Sequence, residues 1–124
     1  RAFSIGRSGN QWQYVVSRDA LIVENSGKVL DQWTQLVFTW KGFTAKFYVN
    51  GKEVIPQTGT FKSSSLGQNQ GYLPIYLGTH YYRPGSGESR VFNGLIGELR
   101  YFNYALTPEE IKNRLEAGRI KYSK

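Results

Sequence analysis

A chain of 124 residues has the size of one domain with a single core, and 19 aromatic residues (3 Trp, 9 Tyr, 7 Phe) with 14 Gly favour strands over long helices. A formal net charge of +7 favours acidic partners such as sulfated or uronic glycans, although the basic residues run from Arg1 to Lys124 without a block and a solvated surface is the plainer reading. No apolar run approaches the ~18 residues of a membrane span, and zero Cys excludes disulfides and cysteine-zinc sites without fixing a compartment.

Ala2 to Gly6 reads as a short strand, and Gly9-Asn10 turns the chain into Gln11 to Val16, where aromatic and β-branched residues cluster. Asp19 opens a further strand over Ala20 to Glu24. The clearest strand is Trp33 to Trp40, in which Leu36, Phe38 and Trp40 share one face by period-two alternation. Trp33 and Trp40 are expected in the core, with Trp12 the least certain of the three tryptophans. Next comes a hairpin, Lys46 to Val49 and Lys52 to Ile55, joined by Asn50-Gly51, the pair that a type I′ turn requires because both central residues need positive φ.

Pro56 to Gln70 is polar and reads as a long loop, and Leu73 to Gly78 reads as a strand whose Pro74 marks an edge or a strand start. It feeds His80-Tyr81-Tyr82-Arg83-Pro84-Gly85-Ser86-Gly87-Glu88-Ser89-Arg90, the segment with the most recognition chemistry. Val91 to Phe102 alternates again, with Leu95, Gly97, Leu99 and Tyr101 on one face and an opposite-charge pair, Glu98 and Arg100, on the other.

The one convincing helix is Pro108 to Ala117, with Thr107 as N-cap, Glu110 at the capping-box position and Gly118 past the end. Ile111 and Leu115, four apart, dock it as a cap. One domain is therefore expected over residues 1–118, with 119–124 a basic tail or linker stub. The opening at Arg1, without Met or a leader pattern, reads as an excised or processed piece.

Three segments carry a resemblance. They are Trp33 to Trp40, Phe47-Tyr48-Val49-Asn50-Gly51-Lys52-Glu53-Val54, and Phe92 to Ile111 with its final strand, Asn103-Tyr104-Ala105-Leu106 corner and short helix. Together they are similar to the laminin G-like, concanavalin A-like lectin/glucanase superfamily. The resemblance implies an all-β fold, an antiparallel two-sheet jelly-roll β-sandwich with one short C-terminal helix. It also implies a secreted or cell-surface, extracellular setting and roles in carbohydrate binding or adhesion.

Two departures follow. Gly97 stands where the family's Gly-x-Ile-Asp-Glu pattern has Asp, and only Asp19 and Asp31 are aspartates, which argues against a calcium site of six to eight oxygens. No cofactor is expected. Relatives also have strands before the segment matched by Phe3 to Gly6, so an open sheet edge that another chain or a missing N-terminal stretch would fill is expected.

The superfold hosts glucanases, and retaining hydrolysis needs two carboxylates ~5 Å apart on one strand face. No Glu-x-Asp or Glu-x-x-x-Glu sits on an expected strand, and Glu109 and Glu110 belong to the helix start. His80 is the only histidine, no Gly-x-Ser-x-Gly elbow accompanies it, and Gly85-Ser86-Gly87 lacks the Lys of a phosphate loop. The chain therefore reads as non-enzymatic.

Sugar recognition needs flat aromatic faces and a few fixed polar groups. His80, Tyr81, Tyr82, Arg83 and Arg90 supply both, the two arginines being suited to sulfate or carboxylate, while tyrosines folded back on their own sheet are the plain alternative. Nucleic acid is disfavoured because no cluster matches an RNA-binding signature. Two functions stay open: a carbohydrate-binding or adhesion module, and a structural subunit using the jelly roll as scaffold in a larger complex.

Overall fold

The computed structural model describes residues 3–8, 11–16, 19–23, 32–42, 44–54, 77–78 and 92–122. Six strands and one helix lie among them. The first sheet is antiparallel, with strands β1 (Phe3–Ser8), β2 (Gln11–Val16) and β3 (Asp19–Val23) in that order. Phe3 pairs with Val16 and Ser8 with Gln11, and then Trp12 with Val23 and Val16 with Asp19. Trp12, the tryptophan least expected inside, is the buried one.

The second sheet is also an antiparallel meander, β4 (Leu36–Lys41), β5 (Thr44–Val49) and β6 (Lys52–Val54). The Asn50-Gly51 expectation holds, since both residues have positive φ, +50° and +74°, and the turn sets Val49 opposite Lys52. On β4 and β5 the register puts Phe38 opposite Phe47, with ring centroids 5.2 Å apart, and Val37 opposite Tyr48 on the other face. Phe47, Tyr48 and Val49 are all buried, so both faces of β5 are covered.

Helix α1 (Pro108–Tyr122) covers the Tyr48 face. Its start is a reciprocal capping box: the Thr107 amide donates to Glu110 Oε2 at 2.7 Å and the Glu110 amide to Thr107 Oγ1 at 3.2 Å. That backbone hydrogen bond is the main reason the Glu110 carboxyl sits below the usual glutamate range. The helix buries Ile111 completely in a cluster with Tyr48 and Leu106, with Val37 and Phe102 packed on it. Burial of a side chain of this kind contributes about 1.5–3 kcal/mol.

Three expectations need correction. The helix does not stop at Ala117 but continues through Gly118 to Tyr122, where Tyr122 falls eleven residues after Ile111 on the same face and finds its own contacts. Residues 92–102 form no strand with any described residue, and Leu95, Ile96, Leu99 and Tyr101 stand in solvent. Trp33 and Trp40 are 45% and 44% exposed and lie outside the core. Trp33 precedes β4 instead of lying in it, and Trp40 sits opposite small Ala45. The expected loop over 56–70 and the strand over 73–76 lie outside the described residues.

Candidate functional site

His80, Tyr81, Tyr82, Arg83 and Arg90 all lie outside the described residues. The chain on either side of them is described. The Phe92 amide donates to the Gly78 carbonyl at 2.7 Å, so the two ends of the 79–91 segment are held one hydrogen bond apart.

Carboxylates among the described residues are largely engaged. Glu53 takes Lys46 Nζ at 3.1 Å, Glu98 takes Arg100 at 2.6 Å, Glu116 takes Arg119 at 3.4 Å, and Glu110 caps the helix. The Glu98–Arg100 pair is the one that the alternation placed on a single face. It is exposed, and such pairs contribute little to stability. Glu53, as hydrogen-bond acceptor first and as a charge second, holds the Lys46 ammonium above its ordinary value.

A groove of about 560 Å³ runs between the β5–β6 turn and α1, with Lys52, Glu53, Lys112, Leu115, Glu116 and Arg119 along it. Its acids are those already paired with Lys46 and Arg119, so the groove mixes both signs and shows no single ligand chemistry. Beneath it, Asn50 is tied to Gln35 from both sides: the Gln35 amide donates to Asn50 Oδ1 and the Asn50 amide to the Gln35 carbonyl, each at 2.9 Å. Gln35 Nε2 in turn donates to the Ile111 carbonyl at 3.2 Å, linking the hairpin to the helix.

A second cluster was not legible from strand patterning. The Trp33 and Tyr122 rings lie 4.6 Å apart, centroid to centroid, at 38°. Lys121 Nζ stands 5.1 Å from the Tyr122 ring centre, and the Tyr122 ring rests on Gly97. One signal in the sequence leads to it, the helical spacing Ile111, Leu115, Gly118, Tyr122 continued past the glycine. Nearer the start of the helix, Arg114 lies over the Phe102 ring at 4.5 Å.

Among the described residues no group of three His, Cys, Asp or Glu is placed to hold a metal ion, and no helix is long and apolar enough to cross a membrane.

Residues 1–112 match the family Laminin_G_3, described as concanavalin A-like lectin/glucanases superfamily. No curated protein matches the chain. Among solved structures the chain is similar to an S-layer domain-containing protein from Clostridium thermocellum, the piece covering its residues 221–444, with a TM-score of 0.52 and 19% identity. The match covers 92% of this chain and 63% of that one, and at this identity it concerns the fold.

Proposed function

We propose that this chain, which belongs to the concanavalin A-like lectin/glucanases superfamily, is a non-catalytic carbohydrate-binding or adhesion module of a secreted or cell-surface protein. The match over residues 1–112 carries the reading. The two three-stranded sheets are taken as the layers of a two-sheet jelly-roll sandwich. The S-layer domain-containing protein of similar fold fits an extracellular, surface setting.

The binding rim is assigned to His80, Tyr81, Tyr82, Arg83 and Arg90. Two observations support it. The residues combine aromatic faces with guanidinium forks, which is the chemistry an acidic polysaccharide asks for. The hydrogen bond between Phe92 and Gly78 holds together the two described residues that flank the segment. The non-catalytic reading comes from the sequence, which holds no Glu-x-Asp or Glu-x-x-x-Glu on an expected strand, and among the described residues the carboxylates of Glu53, Glu98, Glu110 and Glu116 each serve a cation or a helix cap. A hydrolase would hold two of them free across one cleft.

A glycan array that includes sulfated and uronic polysaccharides tests the reading, comparing wild type with a Tyr81→Ala, Tyr82→Ala, Arg83→Ala variant at low and physiological salt. Binding that survives salt and is lost in the variant is the expected result. Binding abolished by salt alone reflects only the net charge of +7.

The second reading, a scaffold subunit of a larger assembly, is favoured by one observation. Leu95 is 79%, Leu99 58% and Tyr101 73% exposed in one stretch, a run of large apolar side chains that a neighbouring chain would cover. Sedimentation at micromolar concentration separates the two readings, since a scaffold self-associates or captures its neighbour and a free module stays monomeric.

A further inference from the structure

We propose that Trp33 and Tyr122, flanked by Lys121, form an additional glycan contact, an aromatic platform for a pyranose ring of an acidic polysaccharide, made by residues outside the 80–90 segment. The proposal rests on the carbohydrate-binding reading above and adds a site to it.

Trp33 keeps 45% of its surface in water. A lone exposed tryptophan is unremarkable on a protein surface, but this one is braced. The Tyr122 ring lies 4.6 Å behind it, and that ring is itself seated on Gly97. A flat apolar face already fixed in place loses little conformational entropy when a ligand stacks on it, which is why rigid Trp and Tyr dominate recognition surfaces. The C–H face of a pyranose is the apolar, flat complement of such a ring.

Lys121 sets the class of sugar. Its ammonium stands 5.1 Å from the Tyr122 ring centre on an exposed residue, and a cation beside the aromatic pair favours a sugar that carries a carboxylate or sulfate. The net charge of +7 steers polyanions toward the surface as a whole. The contributing residues come from positions 33, 97 and 121–122, and only the continuation of α1 to Tyr122 brings them together. Trp40 is the internal control, because it is equally exposed, at 44%, with no aromatic ring stacked on it among the described residues.

The test is affinity electrophoresis of the whole chain in gels containing polygalacturonate, dextran sulfate or neutral dextran, with tryptophan emission read alongside. Wild type is expected to be retarded by one of the acidic polymers, with an emission shift. Trp33→Ala should weaken that binding at least tenfold, Lys121→Glu several-fold, and Trp40→Ala less than twofold. Trp33→Phe keeps a ring against Tyr122 and guards against a misfolded alanine variant, and it should weaken binding by an intermediate factor. Trp33→Ala and Trp33→Phe both folded and both within twofold of wild type would overturn the platform. If binding is lost in the Tyr81, Tyr82, Arg83 variant but kept in Trp33→Ala, the platform falls and the carbohydrate reading stands. If no polymer retards the wild type, the carbohydrate reading falls and the platform falls with it.

Discussion

Gly97 and Tyr122 touch with no space for a side chain between them: a Cβ on Gly97 would lie 2.8 Å from Cε1 and Cζ of the tyrosine ring and 2.9 Å from its hydroxyl. Real Cβ atoms do not approach so closely, so either the ring or the 92–102 segment would have to move. Gly97 is therefore the residue on which the end of α1 docks. Gly97→Ala is expected to push the Tyr122 ring aside, at a modest cost of about 0.5–1 kcal/mol because the atoms it meets are the far end of a flexible side chain. Urea denaturation measures it, and the double variant Gly97→Ala, Tyr122→Ala should cost less than the two single changes added together. Strict additivity would show that the contact does not form.

The Tyr122 hydroxyl is buried over Gly97 with no hydrogen-bond partner among the described residues. A buried polar group of that kind costs about 1–3 kcal/mol, and its removal leaves the ring packing intact. Tyr122→Phe is thus expected to be neutral or to raise the unfolding midpoint, the opposite of most truncations. A clear loss of stability would mean that the hydroxyl has a partner in solution.

Asn50 separates turn geometry from hydrogen bonding. Its φ of +50° suits Asn, Asp or Gly, whereas Oδ1 accepts the Gln35 amide at 2.9 Å. Asn50→Asp retains both features and should change stability by less than ~0.5 kcal/mol. Asn50→Gly keeps the turn but leaves a part-buried amide unpaired, at about 1 kcal/mol. Chemical denaturation of the two variants checks this, and equal losses would mean that the side-chain bond contributes nothing.

Glu110 predicts a pH dependence. Its folded pKa is lowered, first by the backbone hydrogen bond from Thr107, so its contribution is fully present above the ordinary value of 4.5 and is lost as pH falls through the lower folded value. In Glu110→Gln the stability curve should flatten relative to wild type in the window between 4.5 and the lowered folded value, while Thr107→Ala costs about 1 kcal/mol at neutral pH. Identical acid limbs in wild type and Glu110→Gln would remove the carboxylate from the cap.

Local chemistry was the legible part of this chain. Asn50-Gly51 specified the hairpin and its register, and Thr107, Pro108 and Glu110 specified where the helix begins, because each acts on backbone groups within a few residues. The Glu98–Arg100 pair was readable for the same reason, from residues two apart in an alternating stretch. The rim from His80 to Arg90 was chosen on side-chain chemistry alone and lies outside the described residues.

The sequence by itself determined the strand-rich class, the hairpin, the helix start and the family resemblance, all of which depend on neighbours or on short ordered patterns. Tertiary structure alone decided which tryptophan is buried, how far α1 runs and what meets Gly97. Alternation tells which residues share a face but not how far the covering layer extends, so Trp12 went inside while Trp33 and Trp40 stayed half in water. A glycine after ten helical residues favours a stop, but the ring of Tyr122 gains Trp33 and the Gly97 backbone by continuing, and long-range packing outweighs a local penalty of about 1 kcal/mol. A strand is a property of a pair, so the pattern over 92–102 specified a ribbon without specifying a partner for it.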